Sequence, residues 1–198
     1  VGVDISTPAG IELIYEIAKT ADVLLTNYLP AQRQKLKFDI EDIRKVNPNI
    51  IYARGSAYGD KGPERDIGGF DGTAFWSRSG VAHAMTPEEM PGPLNQGIPA
   101  FGDSIGGMFI AGGISAALLH REKTGEATVM DVSLLSAAAW ASGALIAQVA
   151  ETGVLTALEL TSTFPAMVVE NYYKKSANAI KKGADKPPHA FVIPAGQR

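Results

Sequence analysis

The period of apolar positions changes several times along this chain, and each change marks an element. After residue 8 the apolar side chains fall at Ile11, Ile14, Tyr15 and Ala18, the spacing of an amphipathic helix. Thr7 and Pro8 supply its N-cap and its first-turn proline. The run DVLLT at 22–26 is short, continuous and of strand length, and it ends at Asn27, Tyr28, Leu29 and Pro30. A short basic helix is expected over 31–37 and another over 39–46, stopped by Asn47 and Pro48. NIIYAR at 49–54 reads as a second strand.

Residues 55–102 are rich in glycine and proline and show few regular runs. So long a loop-rich stretch is uncommon unless it lines a site or wraps a partner. A small-residue helix then runs to 119, followed by a charged turn at 120–126, a strand over 127–132 and an apolar helix over 132–150. Strands alternating with helices predict an α/β fold, a partial open parallel sheet of Rossmann-like βαβ units with flanking helices. Residues 1–5 read as a strand already under way with no initiator methionine, so the chain is expected to be truncated at its N-terminus. The 132–150 stretch approaches the roughly 20 residues that span a bilayer. Its Ala, Ser and Gly content, without close basic flanks, favours a buried helix, and no membrane partner is expected.

Composition narrows the classes. The 198 residues suffice for one domain with a core and leave room for an appendage. A formal net charge of −3 makes no electrostatic case for nucleic acid or an anionic membrane. The lack of cysteine excludes disulfides and thiol catalysis and fits a reducing, cytoplasmic setting, and the opening residues lack a signal peptide's pattern. His83, His120 and His189 have no metal-site spacing, so no metal is expected. No Gly-x-Ser-x-Gly elbow occurs, which disfavours a serine hydrolase.

The richest run is FGDSIGG at 101–107, which sets Asp103 at the mouth of a helix among glycines that admit a ligand or another backbone. A reachable carboxylate there is a candidate nucleophile; equally, Asp103 or Ser104 is a favoured N-cap, and the run alone leaves both open. GSAYG at 55–59 follows a strand but fits neither the dinucleotide nor the Walker spacing. Asn27 and Tyr28, with Arg33 and Lys35 nearby, follow a strand end, where α/β sheets bind ligands. An aromatic ring beside two cations suits an adenine and its phosphates; a solvated helix face is the alternative. Gly68, Gly69, Phe70 and Asp71 bring a second carboxylate into the loop-rich region.

Taken together, TADVLLTNYLP at 20–30, NPNIIY at 47–52, GDKGP at 59–63 and GFD at 69–71 resemble the class III coenzyme A transferases. FGDSIGG at 101–107, AALLHREKTG at 116–125 and VMDVSLL at 129–135 continue the likeness in register over about residues 1–150. That family includes formyl-CoA transferase, the carnitine CoA-transferases and α-methylacyl-CoA racemase. The resemblance implies transfer of CoA between an acyl-CoA and a carboxylic acid, with Asp103 as nucleophile and an aspartyl-CoA thioester as intermediate. Asn27, Tyr28 and Lys35 match positions that contact CoA, Arg33 is an auxiliary candidate, and Gly68 and Gly69 join the same site. Gly106 and Gly107 leave room for the acyl group and oxyanion, and Asp71 falls where some members have an assisting acid.

The racemase branch has a proton-transferring histidine where this chain has Phe70, so CoA transfer is favoured over racemisation. The resemblance also implies a homodimer for full-length members. Against it, residues 1–157 make only part of the family's large domain, and 158–198 reads as divergent or foreign. ENYYKK at 170–175 and KPPHAFVIPAGQ at 186–197 are similar to a stretch of M14 zinc carboxypeptidases. The isolated chain is therefore expected to be weakly active or inactive, a non-catalytic remnant being the alternative.

Overall fold

The computed structural model describes residues 2–87 and 90–153. Helix α1 (Pro8–Ala18) starts as the sequence predicts, the Thr7 hydroxyl accepting the N–H of Gly10 at 3.1 Å. Strand β1 (Val23–Thr26) leads to α2 (Pro30–Leu36) and α3 (Ile40–Val46), and the chain returns through the central strand β2 (Ile51–Ser56). Asp39 caps α3. Asn47 closes that helix and holds the end of α1, its amide donating to the carbonyls of Ala18 and Ala21.

The segment joining β2 to β3 is long. It contains a π-helix (Asp71–Arg78), the short α4 (Val81–Met85) and the 24-residue α5 (Phe101–Thr124). Strand β3 (Val129–Ser133), α6 (Leu134–Ala141) and α7 (Gly143–Thr152) follow. The three strands pair in parallel in the order β1-β2-β3, with Thr26 beside Arg54 and Arg54 beside Asp131. This is the α/β architecture, a small parallel sheet with flanking helices, that strand–helix alternation predicts.

Two cores hold it. On one side Ala18, Phe38, Ile43, Ile50 and Tyr52 are buried among side chains from α1, α2 and α3. The Tyr52 hydroxyl donates to the carbonyl of Phe38 at 2.8 Å, so the largest ring of that core is satisfied as well as buried. On the other side Phe75, Ala137 and Ala138 are enclosed by Val81, Ile105, Phe109 and Leu134, which joins the π-helix to α5 and α6. Gly113 lies so close to β3 that a Cβ there would stand 2.1 Å from the Met130 sulfur, and this contact seats α5 on the sheet.

Four expectations change. Residues 55–102 are not loop throughout: Phe75 finds the second core, and its packing draws 71–78 into a helix that the local pattern does not announce. The charged turn at 120–126 is mostly helix, because basic side chains suit a helix C-terminus, and Arg121 reaches the carboxylate of Asp22 and the carbonyl of Asn49. The helix stops only at Gly125, in the left-handed region at φ 76°. The apolar stretch 132–150 is two helices that turn by 63° at the Ser142–Gly143 step, a pair of residue types that commonly kinks helices. Residues 2–5 form no strand among the described residues. By length and composition alone α5 could cross a bilayer, yet it lies along β2, β3, the π-helix and α6.

Candidate active site

Because the strands are parallel, all three carboxyl ends open onto one edge of the sheet, and there they border a cavity of about 470 Å³. Asn27 and Leu29 come from the end of β1, Gly55, Ser56 and Ala57 from the end of β2, and Val132, Ser133 and Leu134 from the end of β3. The opposite wall is one stripe of α5: Asp103, Gly106, Gly107 and Ile110, at helical positions i, i+3, i+4 and i+7. Gly68, Gly69 and Phe70 complete the rim, with the Phe70 ring 82% exposed. The structure thus gathers Asp103, Asn27, Gly68, Gly69, Gly106 and Gly107, six of the residues singled out from the sequence, around one space.

Asp103 lies in the first turn of α5 with its side chain exposed. Desolvation first, and then the nearby charge of Asp71, hold its carboxyl above the ordinary carboxylate value of 3.8. It does not cap its own helix. The N-cap is Ala100, in the left-handed region at φ 55°, and no Ala100 side-chain bond caps the helix. The cap comes from another element, because both oxygens of buried Asp71 lie 3.0 Å from the N–H of Gly102. Gln96 steadies Asp71 by donating its amide to Oδ2 at 2.6 Å. Gly102 is required for this approach: a Cβ there would stand 2.2 Å from the Phe75 ring and 2.3 Å from Asp71 Oδ1. Asp71 is therefore an anchor beneath the helix mouth, outside the cavity wall, and acts on Asp103 through its charge.

Arg33 also has a structural place. Its guanidinium is 2% exposed, and it donates to Asp39 at 3.0 Å, to the carbonyl of Tyr28 at 2.7 Å and to Asp60. Asp60 in turn pairs with Arg54, which pairs with Asp131 on β3. Helix α2, the loop after β2 and the middle of β3 are thereby tied behind the cavity, and the bond to Tyr28 fixes the turn that presents Asn27. The sequence expectation of an auxiliary CoA contact here gives way to burial: these donors face protein oxygens. Tyr28 and Lys35 lie outside the cavity lining; Tyr28 is half-exposed, its ring edge-on to Phe38 at 5.4 Å, and Lys35 is exposed on α2.

Sequence reasoning missed Ile110, Val132, Ser133 and Leu134, and it set aside Gly55, Ser56 and Ala57 because GSAYG fits neither nucleotide-binding spacing. The rule that ligands bind beyond the carboxyl ends of parallel strands would have found the remaining strand-end residues had it been carried to β3. Ser56 and Ser133 are already engaged, accepting the N–H groups of Gly59 and Ser136 at 2.9 and 3.0 Å. Gln96 gave no local signal, since its importance is a distance to Asp71.

The family model for CoA-transferase family III matches residues 1–190. The chain is 32% identical over 174 residues to cinnamoyl-CoA:phenyllactate CoA-transferase of Clostridium sporogenes, covering 87% of this chain and 42% of that protein. It is 36% identical to succinyl-CoA:glutarate CoA-transferase of Mus musculus, over 69% of this chain and 30% of that protein. Among solved structures, Rv3272 from Mycobacterium tuberculosis superposes with a TM-score of 0.67 at 35% identity, over 74% of this chain and 40% of that one. The chain thus spans less than half the length of these relatives. The family match runs on through residue 190, across most of the 158–198 stretch that lies outside the described residues, and lends the zinc carboxypeptidase likeness no support.

Proposed function

Because this chain belongs to CoA-transferase family III, we propose that its cavity carries out CoA transfer between an acyl-CoA and a carboxylic acid, with Asp103 as the nucleophile. The observation that carries this reading is the placement of an exposed carboxylate, made more basic by its surroundings, on a glycine-lined helix stripe facing the ends of all three strands.

A carboxylate oxygen of Asp103 attacks the thioester carbonyl carbon; the C–O bond forms, the C–S bond breaks, and CoA leaves as thiolate. The thiolate then attacks the aspartyl carbonyl of the mixed anhydride, which releases the donor acid as carboxylate and leaves an aspartyl-CoA thioester. An acceptor carboxylate repeats the two steps in reverse, restoring Asp103 and giving the new acyl-CoA. No net proton, electron or nucleotide is consumed, and dividing the exchange into near-isoenergetic covalent steps lowers each barrier. Gly106 and Gly107 leave space beside Asp103 for the acyl group and its developing oxyanion, their own N–H groups being engaged inside α5. Asn27 borders the reacting end of the thioester, while Tyr28 and Lys35 contact the nucleotide end of CoA as it leaves the cavity. Asp71 assists by holding the helix mouth. The working protein is a homodimer in the cytoplasm.

The test is chemical trapping. Incubation with an acyl-CoA and then hydroxylamine converts an activated Asp103 to its hydroxamate, which peptide mass spectrometry locates. Asp103→Asn removes the product. An unmodified Asp103 in a protein that turns over would refute the assignment. Phe70 cannot move a proton, so no exchange of the substrate α-proton with deuterated water is expected.

A further inference from the structure

The wall facing Asp103 also carries information about the acyl chain. Leu29, Ala57, Ile110, Val132 and Leu134 present hydrocarbon to the cavity, and Phe70 adds an exposed ring at its rim. The polar groups on the lining besides Asp103 are neutral, Asn27, Ser56 and Ser133; the two hydroxyls accept backbone N–H groups and have a single O–H each to donate. Among the described residues that line the cavity none is cationic. The arginines behind it are committed: Arg33 to Asp39 and Asp60, and Arg54 to Asp60 and Asp131. Among the described residues, the only charge on the lining is the carboxylate of Asp103, and Asp71 adds a second negative charge beneath it.

Resting on the CoA-transfer reading, we propose that the acyl group delivered to Asp103 is that of an apolar monocarboxylic acid and not that of a dicarboxylic acid. A distal carboxylate on the acyl chain would exchange water for hydrocarbon with no cation to pair it. It would also meet the charges of Asp103 and Asp71 during the first attack. The acceptor's reacting carboxylate escapes this second cost, because it arrives when Asp103 is a neutral thioester. An apolar chain gains what the charged one loses: its surface leaves water against the side chains of all three strand ends and the α5 stripe.

The experiment measures hydroxylamine trapping at Asp103 with matched thioesters: 3-phenylpropionyl-CoA and 4-methylpentanoyl-CoA against succinyl-CoA and glutaryl-CoA. The expected rate ratio at subsaturating thioester is about 100-fold or more in favour of the apolar pair, the scale on which a site rejects a group it cannot pair. Equal or faster trapping with the dicarboxylic thioesters overturns the inference and leaves CoA transfer standing. Trapping with neither class overturns both. Phe70→Arg, at a side chain too exposed to carry the fold, supplies the missing cation at the rim. It should narrow the ratio by at least about 10-fold, and an unchanged ratio counts against the rim's part in selecting the chain.

Discussion

Replacing Gly102 by alanine sets two effects of opposite sign against each other within one turn of α5. Helix propensity favours the change by up to about 1 kcal/mol. The structure opposes it, since the new methyl would stand 2.2 Å from Cγ and 2.5 Å from Cβ of Phe75 and 2.3 Å from Asp71 Oδ1. Phe75 is 1% exposed and backed by Ala137 and Ala138, so it has little room to retreat, and overpacking of this kind costs about 1–3 kcal/mol. Moving Asp71 away breaks its bonds to the Gly102 N–H, and losing a helix cap costs about 0.5–2 kcal/mol more. Packing wins: Gly102→Ala is expected to lose about 2.5 kcal/mol net. Urea unfolding measures it, with Gly112→Ala as the internal control. No atom lies within 4 Å of a Cβ built at Gly112, so that variant should gain up to about 1 kcal/mol. If Gly102→Ala proves as stable as the parent, the Asp71 anchor is not what holds the mouth of α5.

Asp71→Asn removes a negative charge that raises the Asp103 carboxyl while leaving the larger effect of desolvation. The acid limb of Asp103 trapping should therefore move to lower pH but stay above the position set by the ordinary value of 3.8, as a pH–rate profile of hydroxamate formation would show. Asp103→Asn should abolish transfer with little effect on stability. The folded state holds this proton more tightly than the unfolded chain does, so ionisation costs stability as pH rises through the raised value; below the unfolded value that cost is absent. The amide loses the helix-dipole contribution of about 0.3–1 kcal/mol, which opposes the relief, and thermal unfolding at neutral pH should show only a small shift. Arg33→Met strands the buried carboxylate of Asp39 and frees Asp60, and should lower stability by about 3–5 kcal/mol in denaturant unfolding. A loss below about 1 kcal/mol would mean that the network behind the cavity is not structural.

The sequence by itself determined the elements whose signal is local. Thr7 before Pro8, Asp39 before Ile40, and the apolar runs of β1 and β2 each state their conformation within a few residues, because caps and periodicity act over one helical turn or a strand's pleat. The placement of Gly106 and Gly107 on the same side of α5 as Asp103 was legible in the same way, since positions i, i+3 and i+4 share one helix face. Tertiary structure alone decided the rest. That Arg33 is buried between carboxylates while Lys35 is exposed follows from α2 docking on Asp39 and Asp60, and no composition of a seven-residue helix contains that fact. That Asp71 caps α5, across 31 positions, is likewise a distance and not a pattern. The meeting of three strand ends around one carboxylate depends on parallel register, which is set by hydrogen bonds between segments far apart in the chain. Local interactions choose conformations; only the closing of long loops chooses neighbours, and the chemistry of this cavity is a property of neighbours.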